Sequence, residues 1–488
     1  MPRFRVFAPL LFLAGCTVGP DYRPESAEGL GVPGGYSVPA PPDREELARW
    51  WERFDDPLLG RVVERAGAAN LDVAQAVGRL RQAREALNQS RADLLPTLAG
   101  SAGYNRQFNL VGGGTAITLP DGTITTITRS AGGNFSAQLD ARYQVGLFGE
   151  IRRTVEASRA QEAAGFDEAA VRLSVQSEAA RNYVLARGLQ LQIVNARDSL
   201  ALLDDNLEIA GFRVRAGLAS SLDVEQARQQ RAQTAATIPQ LEQQLNAALS
   251  RLGVLTAQAP GALKPLLGPP KPVPTGPAVV GVGLPADLLR RRPDVAAAER
   301  QLAAATARIG VAEAQLYPAL AFSGNVNTNA AALGNLGEAI TGALFAGVTQ
   351  AIFNGGRLRS QVRSARAEAD VALAAYKGAV LTALEDVENA IAALAAAQAR
   401  EREFAVALEA ANNFAVLSRS QYRAGLTDFT TLAQAEAALL SARNGATQAR
   451  ADAATATVQL FAALGGGWDP DAPPHAPPPD IILTGGRR

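Results

Sequence analysis

Few side chains in this sequence are equipped for covalent chemistry. The 488 residues hold one cysteine, Cys16, one histidine, His475, and one methionine at the first position. A metal site built from Cys and His needs several such ligands, and a Ser-His-Asp relay needs a histidine outside a proline-rich tail. One thiol leaves no disulfide within the chain. Carboxylates are plentiful, but 47 Asp and Glu are matched by 47 Lys and Arg, and no carboxylate pair stands in a pocket-like pattern. A glycine-rich phosphate loop is absent as well. The zero net charge argues against nucleic-acid binding, which calls for a basic surplus. On counts alone a carboxylate-dependent enzyme stays open. The remaining patterns point to a protein that is not an enzyme and uses no cofactor and no metal.

The thiol is the exception. Arg3 and Arg5 precede a short apolar run, Val6 to Leu13, interrupted by Pro9. A helix crossing a bilayer needs about 20 apolar residues, so this run fits a secretory signal peptide instead. The ending Leu13-Ala14-Gly15-Cys16 resembles a bacterial lipobox. In such a motif the small residues fit the signal peptidase and the cysteine thiol accepts a diacylglycerol. Residues 1–15 are then the cleaved signal peptide, and Cys16 is the lipidation site that anchors segment 16–57 to the outer-membrane lipid. Thr17 rather than Asp follows, which favours onward transport to the outer membrane. No later run is long and apolar enough for a helical span.

The elements that position everything else come in two copies. LDVAQAVGRLRQAREALNQSRADLLPTL, beginning at Leu71, is echoed by PDVAAAERQLAAATARIGVAEAQLYPAL, beginning at Pro293. Asp72 matches Asp294, Leu80 matches Leu302, and Pro96 matches Pro318. The offset shrinks from about 222 to about 207 along the repeat, so the first copy carries a longer loop near 110–130. Repeat 1 spans 58–255 and repeat 2 spans 286–465. A proline-rich linker, 256–285, separates them, and a second proline-rich run, 466–488, forms a tail.

Each repeat holds a heptad seam. In the first it runs Val175, Ala179, Asn182, Ala186, Leu189, Ile193, Ala196, Leu200, Leu203, Leu207. In the second it runs from Leu373 through Tyr376, Val380, Val387 and Leu394 to Ala415. The spacing predicts helices of about 60 residues, roughly 90 Å long at 1.5 Å per residue. Both end in a shared phrase, Arg215-Ala216-Gly217-Leu218 and Arg423-Ala424-Gly425-Leu426. Glycine stops each helix, and Ser221 and Thr427 or Asp428 are candidate caps for a returning helix. Hairpin tips are therefore expected at about 211–222 and 421–430.

Between the helices, hydropathy changes period. From Phe135 to Leu147 every odd position is apolar, which predicts a strand with one apolar face. Weaker strands are expected from Leu98 to Phe108, from Leu320 to Val326 and from Ile340 to Phe353, so β-hairpins occupy about 97–147 and 319–353. Alternation alone suits a soluble sheet equally well. With a lipid anchor and long helices it suits a membrane barrel, which four strands cannot close because barrels need at least about eight. Several protomers must then share one barrel.

Taken together these features resemble the TolC-like outer-membrane efflux proteins, in particular the NodT branch of lipoproteins that serve RND pumps. The most specific phrase is LPADLLRRRPDVAAAERQLAAATARIGVAEAQLYPALAFSG, 284–324. Trp50-Trp51, Asp56-Pro57-Leu58, both tip phrases and LFAALGGGW at 460–468 also match. The resemblance implies a mainly α fold with a transmembrane β part: duplicated coiled-coil hairpins form a periplasmic tube, and four strands per protomer build a twelve-stranded barrel in a homotrimer. It implies a passive exit duct reaching an inner-membrane RND pump through a periplasmic adaptor, a membrane fusion protein. Arg215, Gly217, Leu218, Arg423, Gly425 and Leu426 would lie at the adaptor contact. Asp428 would contribute a carboxylate to a periplasmic gate, with helix capping as its alternative role. Where the family pattern has Trp, Asp and Arg, this chain has Tyr143, Gly146 and Glu150, which removes any ion pair made there. A type I protein-secretion channel and a non-transporting envelope tether are the rival readings.

Overall fold

The heptad seams fold into long paired helices. The computed structural model describes residues 17–39, 41, 47–108, 114–128, 132–161 and 164–468. The expected signal peptide, Cys16, His475 and all but the first three residues of the tail lie outside these. Ten α-helices are described: α1 (Pro57–Ala69), α2 (Leu71–Ala92), α3 (Glu150–Gln161), α4 (Ala164–Arg215), α5 (Ser221–Leu255), α6 (Lys264–Leu267), α7 (Leu288–Arg291), α8 (Pro293–Ala314), α9 (Arg357–Arg423) and α10 (Phe429–Ala463). α9 alone has 67 residues, about 100 Å of helix. No described helix is long and apolar enough to cross a membrane.

The chain forms two compact units, and both repeats contribute to each. Of the described residues, the first gathers those within 17–23, 83–161 and 301–372; the second gathers those within 24–82, 164–300 and 373–468.

In the second unit the seams are the core. Val175, Ala179, Ala186, Leu189, Ile193, Ala196 and Leu203 of α4 are buried, as are Tyr376, Val380, Ala383, Val387, Ala390, Leu394, Ala397 and Ala415 of α9. Alanine at many of these positions lets helices approach closely while holding its own helix firmly. Asn182 turns its amide back onto the Glu178 carbonyl at 2.9 Å, so it satisfies its own helix and sets no register across the seam. Outside the seam, Arg251–Glu178 and Arg197–Glu242 join α5 to α4, and Arg400–Asp452 and Arg450–Glu401 join α9 to α10. These pairs are solvent-exposed, and such pairs contribute about 0–1 kcal/mol each. The Pro-rich linker is packed down: Leu267, Val273, Val280 and Val282 are buried. The buried Arg187 guanidinium holds it by donating to the Leu267 and Pro269 carbonyls at 3.3 and 3.0 Å.

The first unit carries the sheet. β1 (Thr97–Arg106), β4 (Gly133–Val145), β5 (Ala319–Ala330) and β6 (Ile340–Thr349) pair antiparallel in the order β1-β4-β5-β6. The two short strands β2 (Gly114–Thr118) and β3 (Ile124–Thr128) pair separately inside the long loop of the first repeat. In sequence that loop is marked only as longer than its counterpart in the second repeat. Its Asp121-Gly122 dipeptide sits at the turn of a β-ribbon, where the Gly122 N–H donates to the Leu119 carbonyl at 2.9 Å.

Register gives the main sheet two chemistries. Leu139 lies opposite Val326, Tyr143 opposite Phe322 and Val145 opposite Leu320, and Leu320 faces Val348 across the next ladder. All of these share one face, because side chains alternate with period two. The other face bears Gln138 opposite Asn327 and Asp140 opposite Asn325. β1 and β6, at the ends of the order, are exposed along nearly their whole length.

Candidate functional site

Both predicted tips form, by the same device. At the end of α4 the Leu218 N–H donates to the Arg213 carbonyl at 2.8 Å and the Gly217 N–H to Val214 at 3.0 Å. At the end of α9 the Leu426 N–H donates to Gln421 at 2.8 Å and the Gly425 N–H to Tyr422 at 3.1 Å. This is a Schellman closure in both repeats. Gly217 and Gly425 each have φ of 73°, and a Cβ on either would meet open space. The backbone conformation alone therefore demands glycine.

A Schellman closure usually packs the residue after the glycine against an apolar side chain one turn back. Here the C3 positions are Arg213 and Gln421, and Leu218 and Leu426 stand 71% and 78% exposed. Arg215 and Arg423 occupy the last turns, where a cation complements the helix dipole. The Arg215 guanidinium also lies 4.6 Å over the half-exposed Phe212 ring.

The helices returning from the tips are capped one residue away from part of the expectation. Ser220, not Ser221, caps α5, its hydroxyl accepting the Leu222 N–H at 3.2 Å. Asp428 caps α10, with Oδ1 accepting the Thr431 N–H at 2.7 Å. Hydrogen bonds from the Thr431 backbone and hydroxyl hold the Asp428 carboxyl below the usual carboxylate range, so it is anionic at neutral pH.

The heptad seams and tip phrases do not show what ties the two tips together. Arg213 donates to the Tyr422 carbonyl at 2.8 Å and lies 4.6 Å over the Tyr422 ring. Tyr422 in turn meets Phe429 edge-to-face at 5.8 Å, in a buried cluster with Ala227 and Leu432. One turn before the second tip, Arg419 grips the buried Glu436 carboxylate with both ends of its fork, joining α9 to α10. The available signal was Tyr422, an aromatic at the end of an alanine-rich helix.

In the first unit, the N-terminal segment is seated at the end of β4. The Val18 N–H donates to the Phe148 carbonyl at 3.2 Å. The buried Arg153 guanidinium donates to the Val18 and Gly19 carbonyls at 3.2 and 3.1 Å and to Asp21 at 2.7 Å. Tyr143 lies on the apolar face opposite Phe322.

The remaining phrases of the resemblance meet in one knot in the second unit. Asp56 caps α1 through the Leu58 and Leu59 N–H groups and accepts the Tyr183 hydroxyl at 2.6 Å. Trp50 stacks on Phe461 at 5.7 Å. The Trp468 indole donates to the Arg291 carbonyl at 2.6 Å. Arg292 pairs with Asp294 and Asp386, at 2.7 and 2.8 Å, and donates to the Ala463 carbonyl at the end of α10. Burial pushes the Asp294 carboxyl up, but the Arg292 hydrogen bond and charge outweigh it and leave it below its ordinary value.

A group depressed on folding contributes stability that is present above its unfolded pKa, about 3.9 for Asp, and is lost as pH falls through the folded value. The melting temperature of the purified protein should therefore fall below about pH 4, and Asp294→Asn should flatten that fall. An unchanged acid limb in Asp294→Asn would count against this role.

This knot and the paired tips can be compared with known proteins. The sequence profile of the outer membrane efflux protein family matches residues 62–258 and 284–466. The chain belongs to the outer membrane efflux protein family. It is 33% identical over 439 residues to the pyoverdine export outer membrane protein OpmQ of Pseudomonas aeruginosa, covering 88% of this chain and 89% of that one. It is 30% identical over 469 residues to nodulation protein T of Rhizobium leguminosarum bv. trifolii, covering 95% and 97%. Among solved structures it resembles the outer-membrane channel OprN, with a TM-score of 0.82 and 34% identity, covering 93% of this chain and all of that one. The family is one of outer-membrane channels and not of enzymes.

Proposed function

We propose that this efflux-family chain is the outer-membrane exit duct of a tripartite RND-type system, passively conducting small molecules from pump and adaptor to the outside. The observation that carries this reading is the sheet. Four strands with one apolar and one polar face end in two exposed edges, β1 and β6. Strands in lipid cannot leave edges unpaired. Three copies joined β6 to β1 would close a twelve-stranded barrel with the apolar face outward.

The rest follows from the same logic. Leu218 and Leu426, with Arg215 and Arg423 beside them, offer exposed apolar knobs and cations to a periplasmic adaptor. Gly217 and Gly425 set their geometry. Asp428 engages its cap through Oδ1 and, in three copies, would place three anions around the entrance. The N-terminal segment supports lipid anchoring through Cys16, because Thr17 and Val18 lie beside the end of β4.

In a strain without a redundant duct, deletion of the gene should raise the accumulation of several efflux dyes, and the wild-type protein should restore it. Accumulation unchanged by deletion would remove the small-molecule duct reading and leave secretion or tethering.

A further inference from the structure

The polar face of the sheet carries charge in one place only. Among the residues of β1, β4, β5 and β6 the charged ones are Arg106, Asp140 and Arg142. Arg106 stands opposite Gly133, two residues on from Tyr104 and so on the apolar face. Asp140 and Arg142 are both on the polar face, in adjacent rows. One row reads Thr97, Arg142, Ser323, Phe345 across the four strands, and the next reads Ala99, Asp140, Asn325, Ala343.

These rows lie at the helical end of the sheet, since β4 ends at Val145 and α3 begins at Glu150. Towards the loops the polar face offers only amides, hydroxyls and small side chains, with Ser136 opposite Asn329 and Asn327 opposite Thr341. Asp140 is held in place by the Gln138 amide, which donates to it at 2.7 Å. Phe345 is the one large apolar side chain on this face, and it shares the row of Arg142.

We propose that Asp140, Arg142 and Phe345 form the one charged band of the barrel part of the lumen, set for neutral or zwitterionic amphiphiles with an aromatic part. The inference rests on the exit-duct reading, in which three copies close a barrel with the polar face inward. The band then becomes a ring of three carboxylates about 7 Å from a ring of three guanidiniums, two residues along the strand. Opposite rings this close largely cancel beyond a Debye length of about 8 Å, so neither sign of solute is drawn in. Close to the wall they do not cancel. A solute with both charges can pair with each ring in turn, and an aromatic part can rest on Phe345 or on the Arg142 guanidinium. The amide rows beyond supply hydrogen bonds without charge, so a released solute meets no second trap.

The test is the reversal potential of the purified full-length protein in planar bilayers across a potassium chloride gradient. Asp140→Asn unmasks the guanidinium ring and should shift the potassium-to-chloride permeability ratio toward chloride by about twofold or more. Arg142→Gln unmasks the carboxylates and should shift it equally far toward potassium. The double variant should return near wild type, and Arg106→Gln, on the outer face, should not move it. Single variants that shift in the same direction or not at all, or an Arg106→Gln shift as large as that of Arg142→Gln, would overturn the band. A wild-type protein that yields no discrete conductance would instead overturn the exit-duct reading and take the band with it.

Discussion

Arg419→Met is expected to destabilise the protein by about 3–5 kcal/mol, among the largest effects of any single substitution outside the aromatic core. The Glu436 carboxylate is 3% exposed, and the Arg419 fork is its partner across the α9–α10 seam. Removing the cation strands an anion where water cannot reach it. The pair itself is another matter. Desolvating two charges costs nearly what their attraction returns, so replacing both with apolar groups of similar volume is often neutral. Arg419→Met with Glu436→Leu should therefore recover most of the lost stability. Thermal or denaturant unfolding of the wild type and the two variants measures this. If the double variant stays as unstable as the single one, the pair is worth more than its desolvation costs and this account of the seam is wrong.

That pair illustrates where sequence reading stops. The seams were legible because a 4-3 spacing of Val175, Ala179, Ala186 and Leu189 has one physical meaning in a helix, and the buried side of α4 is the result. β4 was legible because strict alternation over Phe135 to Val145 has one meaning in a strand. The tips were legible because glycine at a helix end serves a backbone that other residues resist. Each is a local rule.

Long-range partners obey no such rule. Arg213 meets Tyr422 at a separation of 209 residues, and Arg153 meets Val18 across 135. Nothing in the type or spacing of 47 basic residues singles these two out. Asn182 has a legible place in the seam, but its heptad position does not show that its amide takes a partner within its own helix. The β2–β3 ribbon did have a local signal in Asp121-Gly122. It was passed over because residues 110–130 were read as an insertion relative to the second repeat, and an insertion has no counterpart to compare.

The tips carry the second large effect. Gly217→Pro with Gly425→Pro should reduce efflux to the level of the deletion while leaving abundance and the strand-bearing unit intact. Proline holds φ near −65°, whereas both sites need 73°. It also lacks the N–H that each glycine donates to Val214 or Tyr422. Both Schellman closures are then lost, and Leu218 and Leu426 no longer project from a fixed turn. Loss of efflux from a broken turn alone would not separate contact from folding. Leu218→Glu with Leu426→Glu keeps both glycines and both closures, and changes only what the tips present. A fully buried leucine contributes about 1.5–3 kcal/mol. Each substitution should therefore weaken adaptor binding roughly 10- to 100-fold. Dye accumulation and adaptor affinity, measured on protein of wild-type melting temperature, decide between the two causes. A leucine variant that binds adaptor and clears dye as well as wild type would place the contact elsewhere on the hairpins.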